Sequence, residues 1–235
     1  MTVYGIGLGP GDPSLLTLRG KDLLEAVSTV YTPGRLSRAV VSEHVSDDRL
    51  GSLSFPMTRD PETLRTAWKD AADSIAPQAR REDVAFVTLG DPNVYSTFGH
   101  LRRTLEAFHP EIDVEVVPGV SAVTAFTSAL GIELTSTTGL TLCEAANGPI
   151  PTTVPQLLLF KLLDVPTVHE QLSAANYDVL YGRRLFMESG PTVVTDDPTE
   201  LADRDYYTLA FARKRSFESS PATAAFSETH EVADG

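Results

Sequence analysis

The chain has 235 residues, 42% of them hydrophobic, a net charge of −13 and one cysteine, Cys143. That length allows one large or two small domains. The acidity argues against general nucleic-acid affinity, the lone cysteine excludes an internal disulfide and fits a reducing cytoplasm, and no apolar run reaches the roughly 18 residues of a membrane span.

The basic residues are mostly arginine, with lysine only at Lys21, Lys69, Lys161 and Lys214. So acidic a surface is expected to reflect adaptation to a salt-rich cytoplasm, where screening makes dense negative charge tolerable. The first residues enter a strand-like VYGIGL with no basic n-region and no apolar h-region, so nothing there marks the chain for export.

In chain order, VYGIGL (3–8) reads as a buried strand and LLTLRGKDLLEAV (15–27) as a helix with Ser14 as N-cap. STVYT, SLSFPM and DVAFVTLG (83–90) read as further strands, with helical periodicity at 37–45, 61–76 and 94–108. VEVVPG (114–119) is another strand, ended by Pro118-Gly119. This alternation predicts an α/β unit with a mainly parallel sheet. After Gly119 the texture changes. SAVTAFTSALG is a small-residue helix, followed by the strands LTLCEA, LLLFK, DVLYG, TVVTD and YYTLAFARK with few helices among them. The expected division is 1–118, 119–215 with a mixed sheet, and a loose tail at 216–235 that is Ser/Thr/Ala/Glu-rich and aperiodic.

The first loop carries Gly5, Gly7, Gly9 and Gly11, as a dinucleotide fingerprint would. Pro10 speaks against that reading, because it offers no N–H where a phosphate cradle needs one. Nor does STVYT end on an acidic residue for a ribose; Thr32 and Pro33 stand there. The Rossmann reading fails on chemistry. Two further clusters, GDPNVYSTFGH (90–100) and VPGVSAVTAF (117–126), put Gly, Pro and small hydroxyl residues at strand ends, where α/β sheets bind ligands. By themselves, Asp91-Pro92 also reads as a turn and helix start, and Ser121 as a helix N-terminal residue.

Together YGIGLGPGDPSLLTLRG (4–20), TLGDPNVYST (88–97) and VPGVSA (117–122) closely resemble the tetrapyrrole methylase family of S-adenosylmethionine-dependent enzymes. The resemblance covers all but the tail. YTPGRLSRA (31–39), LGDPNVYSTF (89–98), LLLFK (157–161) and GPTVVTD…DYYTLAFARKR (190–215) resemble the precorrin-2 or cobalt-factor II C20-methyltransferase branch. Phe160-Lys161 stands where that branch is expected to have Met-Lys.

The resemblance implies two α/β domains with the active site in the cleft between them, S-adenosylmethionine as cofactor, a small-molecule tetrapyrrole substrate, a homodimer and a place in cobalamin biosynthesis. S-adenosylmethionine carries no phosphate, which removes the objection raised by Pro10. By motif match, Pro10, Gly90, Asp91, Pro92, Tyr95, Ser121 and Ala122 are placed on the cofactor, with Lys161 or Leu162 on its adenine side. Asp12 is the candidate to face the macrocycle as base or orienter; an Asx-type turn before Pro13 is its alternative. Arg19, Arg35 and Arg59 are the candidates for the substrate carboxylates. No histidine pair has metal-ligand spacing on an expected helix, so no protein-held metal is expected; any cobalt arrives inside the substrate. The rival readings are methylation at C11, C17 or on uroporphyrinogen, diphthine synthase, and a non-enzymatic adenosylmethionine sensor.

A chain of this charge repels itself in dilute buffer, and near 1 M salt screening shortens the range of that repulsion to about 3 Å. The melting temperature is therefore expected to rise between dilute and molar salt. Thermal melts across that range check it, and a flat curve refutes salt adaptation.

Overall fold

The structure, a computed structural model, describes residues 1–56, 58, 60–135, 139–146 and 149–215. Arg59 and the expected tail at 216–235 lie outside them. Two compact units form: Met1–Gly131 with Leu185–Pro191, and Ile132–Arg184 with the chain from Thr192 onward. Among the described residues no helix is long and apolar enough to cross a membrane.

In the first unit, β1 (Thr2–Gly7), β2 (Thr29–Thr32), β3 (Leu50–Ser52), β4 (Val84–Thr88) and β5 (Asp113–Val117) lie in the order β3-β2-β4-β1-β5, all parallel. Their side chains alternate between two faces. Val3, Val84 and Phe86 pack with Trp68 and Ile75 of α3 (Pro61–Ala79) and with Leu101 and Leu105 of α4 (Phe98–Phe108). On the other face, Ile6, Val30, Ala85 and Val87 pack with Leu24 of α1 (Leu18–Ala26) and with Val40 and Val41 of α2 (Arg35–Val41). All of β4 is buried, as a strand covered on both faces must be.

The chain runs from β1 through α1 to β2 and α2 to β3, then returns through α3 to β4 and crosses β1 through α4 to β5. The connections leaving the adjacent strands β1 and β4 therefore pass to opposite faces. The crevice at their C-terminal ends is where such sheets bind ligands.

Glycines close the top of that crevice. A Cβ on Gly7 would lie 2.5 Å from the Gly90 carbonyl oxygen and 2.7 Å from the Gly119 Cα, so the three loops meet backbone to backbone. The Gly90 N–H donates to the Gly9 carbonyl at 2.6 Å, and Gly9 returns a longer bond at 3.4 Å.

This packing moves the expected boundary. The small-residue helix α5 (Ala122–Ala129), expected to open a second domain at 119, belongs to the first unit, which parts from the second at Gly131. Gly119 is wedged against Gly7, and Ala125 and Phe126 of α5 are buried.

The second unit holds β6 (Leu140–Glu144), β7 (Gln156–Phe160), β8 (Tyr177–Arg183), β9 (Val193–Thr195) and β10 (Thr208–Lys214) in the order β6-β7-β10-β8-β9. Only β6–β7 is parallel, so the sheet is mixed. One face packs Leu157, Leu159, Tyr181 and Ala210 with Val165, Val168 and Leu172 of α6 (Val165–Ala174). Buried Arg183 donates to Thr208 Oγ1 (3.1 Å) and to the carbonyls of Leu201 (3.1 Å) and Asp203 (2.7 Å), fixing the loop before β10.

Several local expectations are corrected. α1 starts at Leu18 with Thr17 as its cap, because Ser14 is used in a single 3-10 turn, Pro13–Leu15, capped by Asp12. α4 starts at Phe98, not 94, since Tyr95 has φ +49° and Ser96 Oγ accepts from the Phe98 N–H at 3.1 Å. The strand expected over SLSFPM lies at Leu50–Ser52, and Phe55 stacks on Trp68 instead, ring centres 4.2 Å apart. The helix α6 was not expected from the sequence.

Gly119→Ala is expected to destabilise the protein by about 2 kcal/mol or more through overpacking. Gly34→Ala, at an extended backbone position with nothing within 4 Å, is expected to be neutral or slightly stabilising. Urea unfolding of the two variants measures the contrast.

Candidate functional site

The three loops at the ends of β1, β4 and β5 bring seven of the eight cofactor candidates into one unit. Pro10 is buried in the loop whose neighbour Gly9 pairs with Gly90. Gly90 takes φ +71°, a backbone region that favours glycine. A Cβ there would meet only the Ala122 nitrogen, at 3.7 Å, so this glycine faces open space. Ala122 opens α5, with Ser121 as its N-cap, the Oγ accepting from the Thr124 N–H at 3.4 Å. The first amides of a helix have no partner within it, so the position beside Gly90 offers donors.

Asp91 staples the loops. Its Oδ1 accepts from the Asn93 N–H at 2.8 Å and its Oδ2 from the Gly119 N–H at 3.1 Å. The side chain thus makes an Asx-type turn in its own loop and ties the β4 and β5 loops together. Pro92 is buried behind it, while Tyr95 is exposed and held at positive φ.

Asp12 accepts from the Ser14 N–H at 2.8 Å, the turn read as its alternative role. Those Ser14 hydrogen bonds hold its carboxyl below the usual carboxylate range. Arg19 is exposed and ion-paired with Glu115. Arg35, at the first turn of α2, is exposed and makes no hydrogen bond or ion pair with a described residue. Next to it, Leu36 lines a cavity of about 280 Å³ that the first unit encloses. Its walls come from the first loop, α2, Leu89 and the 187–189 segment.

Lys161 stands in the second unit, at the C-terminal end of β7 with φ +53°. Its Nζ lies 3.1 Å from Glu144 Oε1 and 5.3 Å from the centre of the Tyr206 ring. Burial opposes its charge, but Tyr206 and Glu144 outweigh that and hold its pKa above the ordinary lysine value. Leu162 is buried in the apolar cluster under α6. Among the described residues, no three His, Cys, Asp or Glu side chains are grouped to hold a metal ion.

Sequence reasoning did not find the 187–189 wall or the role of Gly119. The first carries no motif. The second was signalled by Pro118-Gly119 at a strand end, which read as a strand stop within a ligand-binding loop and not as a contact between loops.

Glycine loops at the switch point of a parallel α/β sheet are of the kind that bind small molecules. Residues 2–162 match the family model of tetrapyrrole (corrin/porphyrin) methylases, and the chain belongs to that family. A probable cobalt-precorrin-2 C(20)-methyltransferase of Methanocaldococcus jannaschii is 35% identical over 138 residues, 56% of this chain and 58% of the relative. A precorrin-4 C(11)-methyltransferase of Pseudomonas aeruginosa is 35% identical over 57% of this chain and 50% of its own, so the chain spans about half the length of these two relatives. A precorrin-4 C(11)-methyltransferase of Mycobacterium tuberculosis is 33% identical over 79% of this chain and 71% of its own.

Among solved structures, the putative cobalamin synthesis related protein of Corynebacterium diphtheriae superposes with a TM-score of 0.73 at 18% identity, covering 91% of this chain and 98% of its own. The uroporphyrin-III C-methyltransferase of Thermus thermophilus, complexed with S-adenosyl homocysteine, gives 0.66 at 21%, covering 91% and 97%. At these identities the likeness establishes the fold, two α/β units of tetrapyrrole methylase type.

Asp91→Ala removes the acceptor of two backbone amides and is expected to cost about 1–3 kcal/mol. Asp91→Asn keeps one acceptor oxygen and is expected to fall between that variant and the wild type. Chemical denaturation of the pair tests the staple.

Proposed function

We propose that this chain transfers a methyl group from S-adenosylmethionine to C20 of a reduced tetrapyrrole, precorrin-2 or cobalt-factor II, in cobalamin biosynthesis. The observation that carries the reading is the open space at Gly90 beside the first amide of α5, on a loop cluster with no phosphate cradle. A cradle of this kind fits a ligand that needs close backbone approach and neutral donors rather than counter-charges for phosphate.

In this reading Gly90 and Pro10 line the approach of the cofactor, and Ala122, Ser121 and Tyr95 flank it. Asp91 shapes the cradle by holding its loops together, with Pro92 filling the turn behind. The cofactor, when bound, supplies an electrophilic methyl group on a sulfonium. The protein's part is alignment of the accepting carbon with that methyl, the main source of rate when nucleophile and electrophile are both competent. Asp12, kept ionised by Ser14, orients the macrocycle rather than taking its proton, which passes to water. Arg35, exposed and one residue before the cavity-lining Leu36, is read as the partner of a substrate carboxylate.

The archaeal relative supports methylation at C20. A second reading, methylation at C11, rests on the mycobacterial relative, which aligns over more of this chain. Incubation with methyl-labelled S-adenosylmethionine and, separately, precorrin-2, cobalt-factor II and a precorrin-4 substrate, followed by carbon NMR of the product, separates them. Label at C20 is expected, and label at C11 alone overturns the assignment. Gly90→Ala is expected to cost about 1–2 kcal/mol of stability for its backbone conformation. It is also expected to weaken S-adenosylmethionine binding at least about tenfold, or 1.4 kcal/mol. Calorimetric titration measures this, and wild-type affinity in the folded variant refutes the cradle.

A further inference from the structure

The segment Leu185–Pro191 leaves the second unit and forms part of the first. Its backbone is unusual: Arg184, Phe186 and Gly190 have φ of +52°, +61° and +87°. For a bulky residue such as Phe186 this region is strained, and strain persists only where the surroundings enforce it. They do so here. Within the second unit, Arg184 is held by Asp205 at 2.5 Å and lies over the Tyr207 ring, and its carbonyl accepts from Thr192 Oγ1 at 3.1 Å. Within the first unit, the segment lies on Gly11, whose φ is +143°; a Cβ there would be 2.8 Å from both Met187 Cγ and the Phe186 carbonyl oxygen. The chain is thus pinned in a strained path that presents Met187 and Glu188 to the cavity.

At about 280 Å³ the cavity is at the small end for ligand sites. It holds an edge of a macrocycle, not the whole. Leu36, Val40, Leu89 and Met187 make it apolar, and two exposed carboxylates, Glu43 from α2 and Glu188 from the segment, stand on its rim. Among the described residues no cationic side chain lines it. Such a cavity suits an apolar edge.

Resting on the tetrapyrrole reading above, we propose that the 185–191 segment is the specificity element of this enzyme. Met187 sets how deep the macrocycle edge enters. The selection comes from shape, by excluding an orientation that does not fit.

The test uses the full chain with cobalt-factor II and precorrin-2 as probes. Met187→Trp fills the cavity, and Gly11→Ala displaces the segment. Each is expected to weaken tetrapyrrole binding, read by absorbance titration, at least about tenfold. S-adenosylmethionine affinity, read by calorimetry, is expected to stay within about twofold in both, a split that general damage to the fold does not produce. Met187→Ala, which deepens the cavity, is expected to spread label over more than one carbon. Tetrapyrrole binding unchanged in Met187→Trp, or both ligands lost together in Met187→Trp and Gly11→Ala, overturns the proposal. A single labelled carbon in Met187→Ala overturns the role of Met187 in selection. A wild-type protein that binds S-adenosylmethionine but neither binds nor labels a tetrapyrrole overturns the reading beneath it, a result distinct from these.

Discussion

Three backbones meeting without side chains are what the first unit depends on. Gly7, Gly90 and Gly119 end or follow three neighbouring parallel strands, and a Cβ on Gly7 or Gly119 would collide with the backbone of the other two. That contact fixes the loops after β1, β4 and β5 in one arrangement, and Asp91 locks two of them with a single carboxylate. The sheet beneath contributes the direction: the strands adjacent at its centre send their helices to opposite faces, so the loops part there and leave a crevice. A site made mainly of backbone follows from this geometry. It has few side chains to titrate, which suits a transfer reaction in which alignment does most of the work.

The charge pattern fits the same logic. Arg19, one of the arginines expected to meet the substrate, is tied to Glu115 on the surface, and Arg35 stands alone at the start of α2. Where a cavity does form, it is acidic at the rim and apolar within. A protein carrying thirteen surplus negative charges gathers no described cluster of cations against a polyanionic ligand. On the proposal made above, shape is the means the first unit has for choosing.

Much of this was legible in the sequence for identifiable reasons. Buried parallel strands such as VAFVT are continuous apolar runs, and glycine-proline clusters at their ends are hard to mistake. Pro10 was decisive because a missing N–H is a chemical fact that no fold alters. What stayed hidden depended on contacts distant in sequence. Ser14 and Thr17 are equivalent caps on paper, and only the turn set by Asp12 and Pro13 chooses between them. The helix α6 carried its signals, Asp164 as cap and Pro166 in the first turn, but its apolar spacing reads poorly beside five strands. The boundary at Gly131 could not be read, because it is set by Gly119 packing on a loop more than a hundred residues earlier.

The path of residues 185–191 has a consequence for how the protein is made. A chain emerging from the ribosome completes its domains in order, the first generally folding before the second is synthesised. Here the first unit cannot be finished that way. Its sheet and five helices are available once Gly131 has emerged, yet one wall of its cavity is encoded more than fifty residues later, beyond three strands and a helix of the second unit. The nascent first unit therefore carries Gly11 and the apolar side chains of α2 uncovered until three of the second unit's five described strands have emerged. A fragment cut at Gly131 therefore lacks the 187–189 wall of the cavity, however well its own sheet forms.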